Sequence, residues 1–428
     1  MTRMKDSGIE WIGEVPEEWG IKPIKHIFGA IGSGTTPDSS KVEYYDGNIN
    51  WLQSGDLYKK DYVYAVSKTI TDLGYRSSAS LRIYQAPFLA IAMYGASIGN
   101  LAISKIDACV NQAVAVLKGE ENIVRFAKLA LEISKTELIF AAQGGTQPNI
   151  NQVLIKNWVI PFPSEIEIKK IADFLDKKVA QLDKVKSLLE EQIKTLEDYR
   201  QSLIYETVTK GLDKTVPLKD SGVDWMGQIP EGWGVKSIKH IFDVIGSGTT
   251  PDSSKTEYYD GDINWLQSGD LYKTDYVDSV SKTITELGYL SSASLKIYEA
   301  PFLAIAMYGA SIGNLAISKI DACVNQAVVV LKGKEDTVRF VKFGLEISKS
   351  ELIFAAQGGT QPNINQVLIK NWLIPFPGEI EIREIADFLD KKTEQINQMI
   401  AIKKEQIENI NKQRQTLIYD YVTGKRRV

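Results

Sequence analysis

Between Thr35 and Leu57 the chain collects side chains that can meet phosphate oxygens and base edges on a turn-rich backbone. They are the hydroxyls of Thr35, Thr36, Ser39 and Ser40, the ammonium of Lys41, the paired Tyr44 and Tyr45, and then Asn48, Asn50, Trp51, Gln53 and Ser54. Hydroxyls and lysine suit a phosphate backbone, and amides can pair bidentately with adenine. A second polar loop, Gln143–Asn151, adds Gln143, Thr146, Gln147 and Asn149. The same residue types return 214 positions later as Thr249, Thr250, Ser253, Lys255, Tyr258, Tyr259, Gln357, Thr360, Gln361 and Asn363. The competing reading is that Gly-Thr-Pro and Gly-Thr-Gln-Pro only make tight turns.

Catalytic chemistry has little to work with. The two histidines, His26 and His240, each precede an Ile-Phe pair and are read as structural. With two cysteines and two histidines, no Cys/His metal cluster can form. The stretch Gly29–Thr36, GAIGSGTT, resembles a phosphate loop but has Thr35 where that motif needs lysine, and Asp243 replaces Gly29 in the second copy. Neither an adenine-methyltransferase tetrad nor a dinucleotide-binding glycine fingerprint is present. Asp46, Asp56 and Asp61 recur as Asp260, Asp270 and Asp275, and in loops rich in Gly, Tyr and Asn they are expected to form turns rather than acid–base pairs.

Charge narrows the classes further. The net charge of the 428-residue chain is −4, and Lys5–Pro163 carries 15 Lys plus Arg against 16 Asp plus Glu. If such a chain binds nucleic acid, its positive charge must be gathered on one face or supplied by a partner. The absence of a signal peptide and of a long apolar run predicts a soluble cytoplasmic protein, and Cys109 and Cys323, in separate modules, are expected to be buried free thiols.

The elements that must position these side chains come as a repeat. Lys5–Thr209 returns as Lys219–Thr423 without a gap. Of the 176 positions in Lys5–Ala180, 143 are retained, against 11 of the 29 in Gln181–Thr209. Within one module, short apolar strands are read at Ala86–Met93, Leu101–Ser104 and Cys109–Leu117, a single helix over Ile123–Phe140, and a return through Trp158–Phe162. This mixture predicts a compact α+β module. After it, Leu175, Leu182, Leu189, Leu196 and Leu203 recur every seven residues beside Val179, Val185, Ile193 and Tyr199. The second copy keeps the frame through Leu389, Ile396, Ile410 and Leu417, with Met399, Ile400 and Ile407 alongside and Lys403 interrupting it. Two apolar stripes on long helices require burial, and the economical solution packs the helices on each other within one chain.

The ordered set GSGTTP, INWLQSGDL, SSASL, APFLAIAMYGASIG, VNQAV, GGTQPNIN, IPFP and IADFLDKK, present twice, resembles the specificity subunit of Type I restriction–modification systems. The resemblance implies two near-identical target recognition domains, 1–163 and 211–377. They would be separated by a central helix, 164–210, and a distal helix, 378–428, packed antiparallel with pseudo-twofold symmetry. It further implies a non-catalytic subunit that reads a split sequence in double-stranded DNA. Such a subunit recruits two methyltransferase subunits and the restriction subunits, and S-adenosylmethionine, ATP and Mg are expected on those partners. Recognition domains of the family usually differ between halves; here they nearly coincide, which predicts an inverted, almost palindromic target. The competing classes are a duplicated carbohydrate- or protein-binding scaffold and an enzyme with one site per repeat.

Overall fold

A computed structural model describes residues 3–142, 149–356 and 363–428. The chain divides into two compact units, the first discontinuous in sequence and the second continuous. One runs up to Leu189 and takes in Lys404–Val428; the other is Glu190–Lys403.

In the first unit the central sheet has five strands in the order Ala30–Gly32, Val114–Lys118, Phe88–Ala92, Leu101–Ser104, Tyr62–Val63. Neighbours are antiparallel except the last pair, which is parallel. The run FLAIA is apolar throughout because both faces of its strand are covered. With a side-chain period of two, Leu89 and Ile91 face the helical layer, while Phe88, Ala90 and Ala92 face a second cluster with Leu52, Leu57 and Val110. A three-stranded sheet, Cys109–Val110, Tyr45–Leu52 and Thr69–Ile70, borders that second cluster. Its central strand is bulged between Tyr45 and Ile49, where Asp46 takes φ 59°.

The helical layer corrects the expectation of one helix over Ile123–Phe140. Glu121–Ile133 and Lys135–Ala141 are separate helices broken at Ser134. The buried Ser134 hydroxyl donates to Ala130 O at 2.8 Å and accepts from Trp158 Nε1 at 3.0 Å, a competing set of hydrogen bonds that apolar periodicity does not register.

The long helices span Glu165–Lys210 and Glu379–Val422. Inside the first unit, Phe174 stacks on Tyr421 with ring centroids 4.6 Å apart, and Asp183 meets Arg414 at 3.3 Å. Rising numbers on one helix against falling numbers on the other make this segment pair antiparallel. Inside the second unit Gln192 accepts from Lys403 at 2.6 Å, which gives the lysine that interrupts the heptads a polar partner. The intramolecular pairing expected from the stripes is therefore present. The seam differs from the heptad reading in detail. Leu175, Ile204, Leu389, Ile418 and Val422 are fully buried where the helix ends meet a globular core, whereas Val185 and Tyr199 are 46% and 55% exposed. A two-helix pair covers only one side of each seam, and a third surface is present only at the ends.

Both modules dock on the helices by the same charges. Arg125 pairs with Asp173 at 2.8 Å and Asp176 at 2.7 Å, and Arg339 pairs with Asp387 and Asp390, each at 2.8 Å. Glu132 receives Arg414 in the first unit, and Glu346 receives Arg200 in the second. Arg200 and Arg414 are the same repeat position. They belong to the 11 positions of the divergent stretch Gln181–Thr209 that are retained between copies, together with Leu203, Ile204, Tyr205, Val208 and Thr209 and their counterparts.

Candidate functional site

Close backbone approach builds the loop that carries the candidate recognition residues. A Cβ on Gly34 would lie 1.8 Å from Val110 O, and one on Gly32 would lie 2.2 Å from the Tyr84 hydroxyl. Only glycine lets this segment leave the five-stranded sheet and lie on Cys109–Val110. Ser33 then ties the turn, its hydroxyl donating to Val114 O at 2.7 Å while its carbonyl accepts from Tyr84 OH at 3.0 Å. The GSGTT motif is thus first a packing device, which supplies the physical content of the tight-turn reading.

Beyond it, Thr36 and Ser39 turn toward Tyr45, Trp51, Gln53, Lys68 and Asn111, and these seven residues line a concavity of about 400 Å³. Tyr45 OH donates to Pro37 O at 2.6 Å, Trp51 Nε1 to Thr35 O at 3.3 Å, and Thr36 Oγ1 to Gln112 Oε1 at 2.6 Å. Asp56 fixes the floor from below, its carboxylate accepting from Gln53 N at 2.8 Å and Ser67 N at 2.9 Å. Trp51 N donates to Lys68 O, and Asn111 N to Leu52 O. Three chain segments therefore converge through backbone pairing. All seven lining residues recur unchanged 214 positions later, although the modules differ at 33 of 176 positions (176 − 143).

Of the remaining candidates, Lys41 is exposed and its ammonium donates to Tyr44 OH at 3.1 Å, 5.1 Å from that ring's centroid. This hydrogen bond raises the lysine's pKa and keeps it charged. Lys255 and Tyr258 repeat the pair at 3.0 Å. Thr249, Thr250, Ser253 and Tyr259 occupy the equivalent loop, with Tyr259 OH donating to Pro251 O at 2.7 Å. Asn149 and Asn363 are exposed. Gln143, Thr146, Gln147, Gln357, Thr360 and Gln361 lie outside the described residues. Lys68 and Asn111 were missed because only the pairing of distant strands brings them to the concavity. The VNQAV motif was the available signal for Asn111.

The aspartates divide by environment. Asp56 organises a turn and Asp46 occupies a left-handed position, but Asp61 pairs with the largely buried Lys128. Burial pushes the Cys109 thiol up to about 12 and that of Cys323 to about 11, so both stay protonated at neutral pH. The concavity offers hydroxyls, amides, an aromatic wall and one ammonium, which is the chemistry of recognition.

Comparison with known proteins gives a consistent picture. A family model described as Type I restriction modification DNA specificity domain matches residues 16–197 and 230–410. The chain is 26% identical to the Type I restriction enzyme MjaIX specificity subunit of Methanocaldococcus jannaschii, over 97% of this chain and 95% of that protein. It is 24% identical to a putative MjaX specificity subunit of the same organism, over 97% and 96%. In fold it resembles a chain from a structure on complex assembly and conformational transition of the type I R-M system, with TM-score 0.73, 16% identity and coverage of 95% and 98%. It also resembles the HsdS subunit from Thermoanaerobacter tengcongensis, with TM-score 0.54, 16% identity and coverage of 96% and 98%. The scaffold reading and the reading of one active site per repeat gain no support.

Proposed function

The chain belongs to the Type I restriction modification DNA specificity family, and from that premise we propose that its two modules read a bipartite DNA target whose halves are nearly one sequence in inverted orientation. The observation that carries the reading is the identity of all seven residues lining the concavity in the two copies. Equal side chains on an equal backbone present equal hydrogen-bonding patterns, and duplex DNA offers equivalent groove surfaces at inverted half-sites. The chain itself is a non-catalytic recognition subunit. Two methyltransferase subunits carry S-adenosylmethionine and methylate adenine N6, and restriction subunits carry ATP and Mg.

Methylome sequencing of a cell expressing the complex tests the reading. The expected result is one methylated adenine motif with related, inverted halves separated by a fixed gap. A motif with unrelated halves overturns the near-palindrome, and absence of any methylated motif together with failure to bind duplex DNA overturns the recognition role.

A further inference from the structure

A second feature lies apart from the concavity, where the loops Leu57–Asp61 and Gly99–Leu101 meet the helix break. They enclose a cleft of about 190 Å³ whose wall holds Lys59, Lys60, Lys128, Lys135, Asp61 and Glu132. At roughly 30 Å³ per water it has room for about six waters, ample for a phosphate group. Its charges are unequally spent. Lys128 binds Asp61 and reaches Glu132 at 3.2 Å, and Glu132 is also held by Arg414. Both carboxylates are therefore consumed by other cations. Lys135 donates to the amide oxygen of Asn100 at 3.0 Å and, among the described residues, has no carboxylate within 4.0 Å. Its stem lies under Gly99, whose φ is +71° and whose Cβ would lie 2.9 Å from Lys135 Cε, so the ammonium is held in place. Lys59 sits at φ 52°, a left-handed conformation that a lysine adopts only under local constraint. Lys273 repeats it at 55°.

We infer that Lys59, Lys60 and Lys135 of the first module hold one oxyanion, a phosphate of the DNA backbone, and that the second module holds its equivalent more weakly. The inference rests on the DNA reading above. The asymmetry comes from a single position: Lys60 is replaced by Thr274, whose hydroxyl is turned away and donates to Tyr276 O at 2.6 Å. The wall carries four lysines against two carboxylates in the first module and three against two in the second, a formal +2 against +1. Lys349 and Asn314 otherwise repeat the Lys135 contact, at 2.9 Å.

The test uses the full chain and a random-sequence duplex, because a phosphate contact needs no cognate bases. Each neutralised phosphate contributes about 0.9 to the slope of log K against log salt. Lys60→Thr is expected to flatten that slope by up to about 0.9, and Thr274→Lys to steepen it by a similar amount. Each substitution installs the residue that the other module already tolerates, and the gain from Thr274→Lys cannot arise from misfolding. Unchanged slopes in both variants overturn the site while leaving the DNA reading intact; failure of the wild-type chain to bind any duplex sinks both together. Inorganic phosphate titrated without DNA forms the second arm. Saturation that depends on Lys60, with unaltered DNA slopes, overturns the backbone assignment in favour of a free anion.

Discussion

Gly34 shows how a motif that looks like ligand chemistry can be packing chemistry. With Val110 O at 1.8 Å from any added Cβ, Gly34→Ala must push the loop off the Cys109–Val110 strand, at a cost of about 1–3 kcal/mol or more. Thermal unfolding should show this loss, whereas Gly55→Ala, with nothing within 4 Å, should leave the melting temperature nearly unchanged. Readers and positioners should separate at the same scale. Gln53→Ala, in the concavity, is expected to cost about 1–3 kcal/mol on the cognate site and little on random DNA. If the exposed Lys41 touches a phosphate, Lys41→Ala should instead weaken binding to every sequence and flatten the salt dependence. Equilibrium titrations against cognate and random duplexes at two salt concentrations check both outcomes.

At the scale of elements, the helix ends explain what the repeat retains. Within the divergent stretch the mid-helix seam residues Leu182, Val185, Leu189 and Leu196 are replaced, whereas Arg200 and Arg414 are kept and dock on a module. Arg414→Ala leaves Glu132 with Lys128 alone and removes the contact to Asp183, so a loss of about 1–3 kcal/mol is expected in chemical denaturation, the range for hydrogen bonds between charged groups at a half-buried site. Asp275 gives this docking a pH dependence. Burial raises its pKa, but Lys342 and Arg200 outweigh burial and leave it below the usual carboxylate value. A depressed folded-state pKa stabilises above the unfolded value of about 3.9 and the contribution disappears as pH falls through the folded value. Stability should therefore drop below about pH 4, and Asp275→Asn should remove that part of the acid transition. The helix break belongs here too, because Ser134→Ala strands the Trp158 indole N–H and should cost about 1–3 kcal/mol.

For the whole molecule, the two compact units divide the long helices at Leu189 and Lys403. A heptad inserted after each adds about 10 Å of helix, equivalent to about three base pairs. On the recognition reading, the methylated motif should keep its halves and widen its central gap by about that number; an unchanged gap would show that the helices do not set the spacing. Much of this architecture was legible in the sequence because its signals are local or periodic: the 214-residue repeat, the apolar strands such as Phe88–Ala92, and the heptads. The family resemblance rested on ordered motifs of the same kind. The tertiary structure alone decided which residues share a surface. Lys68 and Asn111 reach Trp51 through strand pairing, Ser134 breaks a helix for a tryptophan 24 residues away, and Arg414 pairs with Glu132, 282 residues earlier. Such contacts leave no periodicity in a single chain, because their partners are fixed by burial and hydrogen bonding between segments rather than by spacing along one segment.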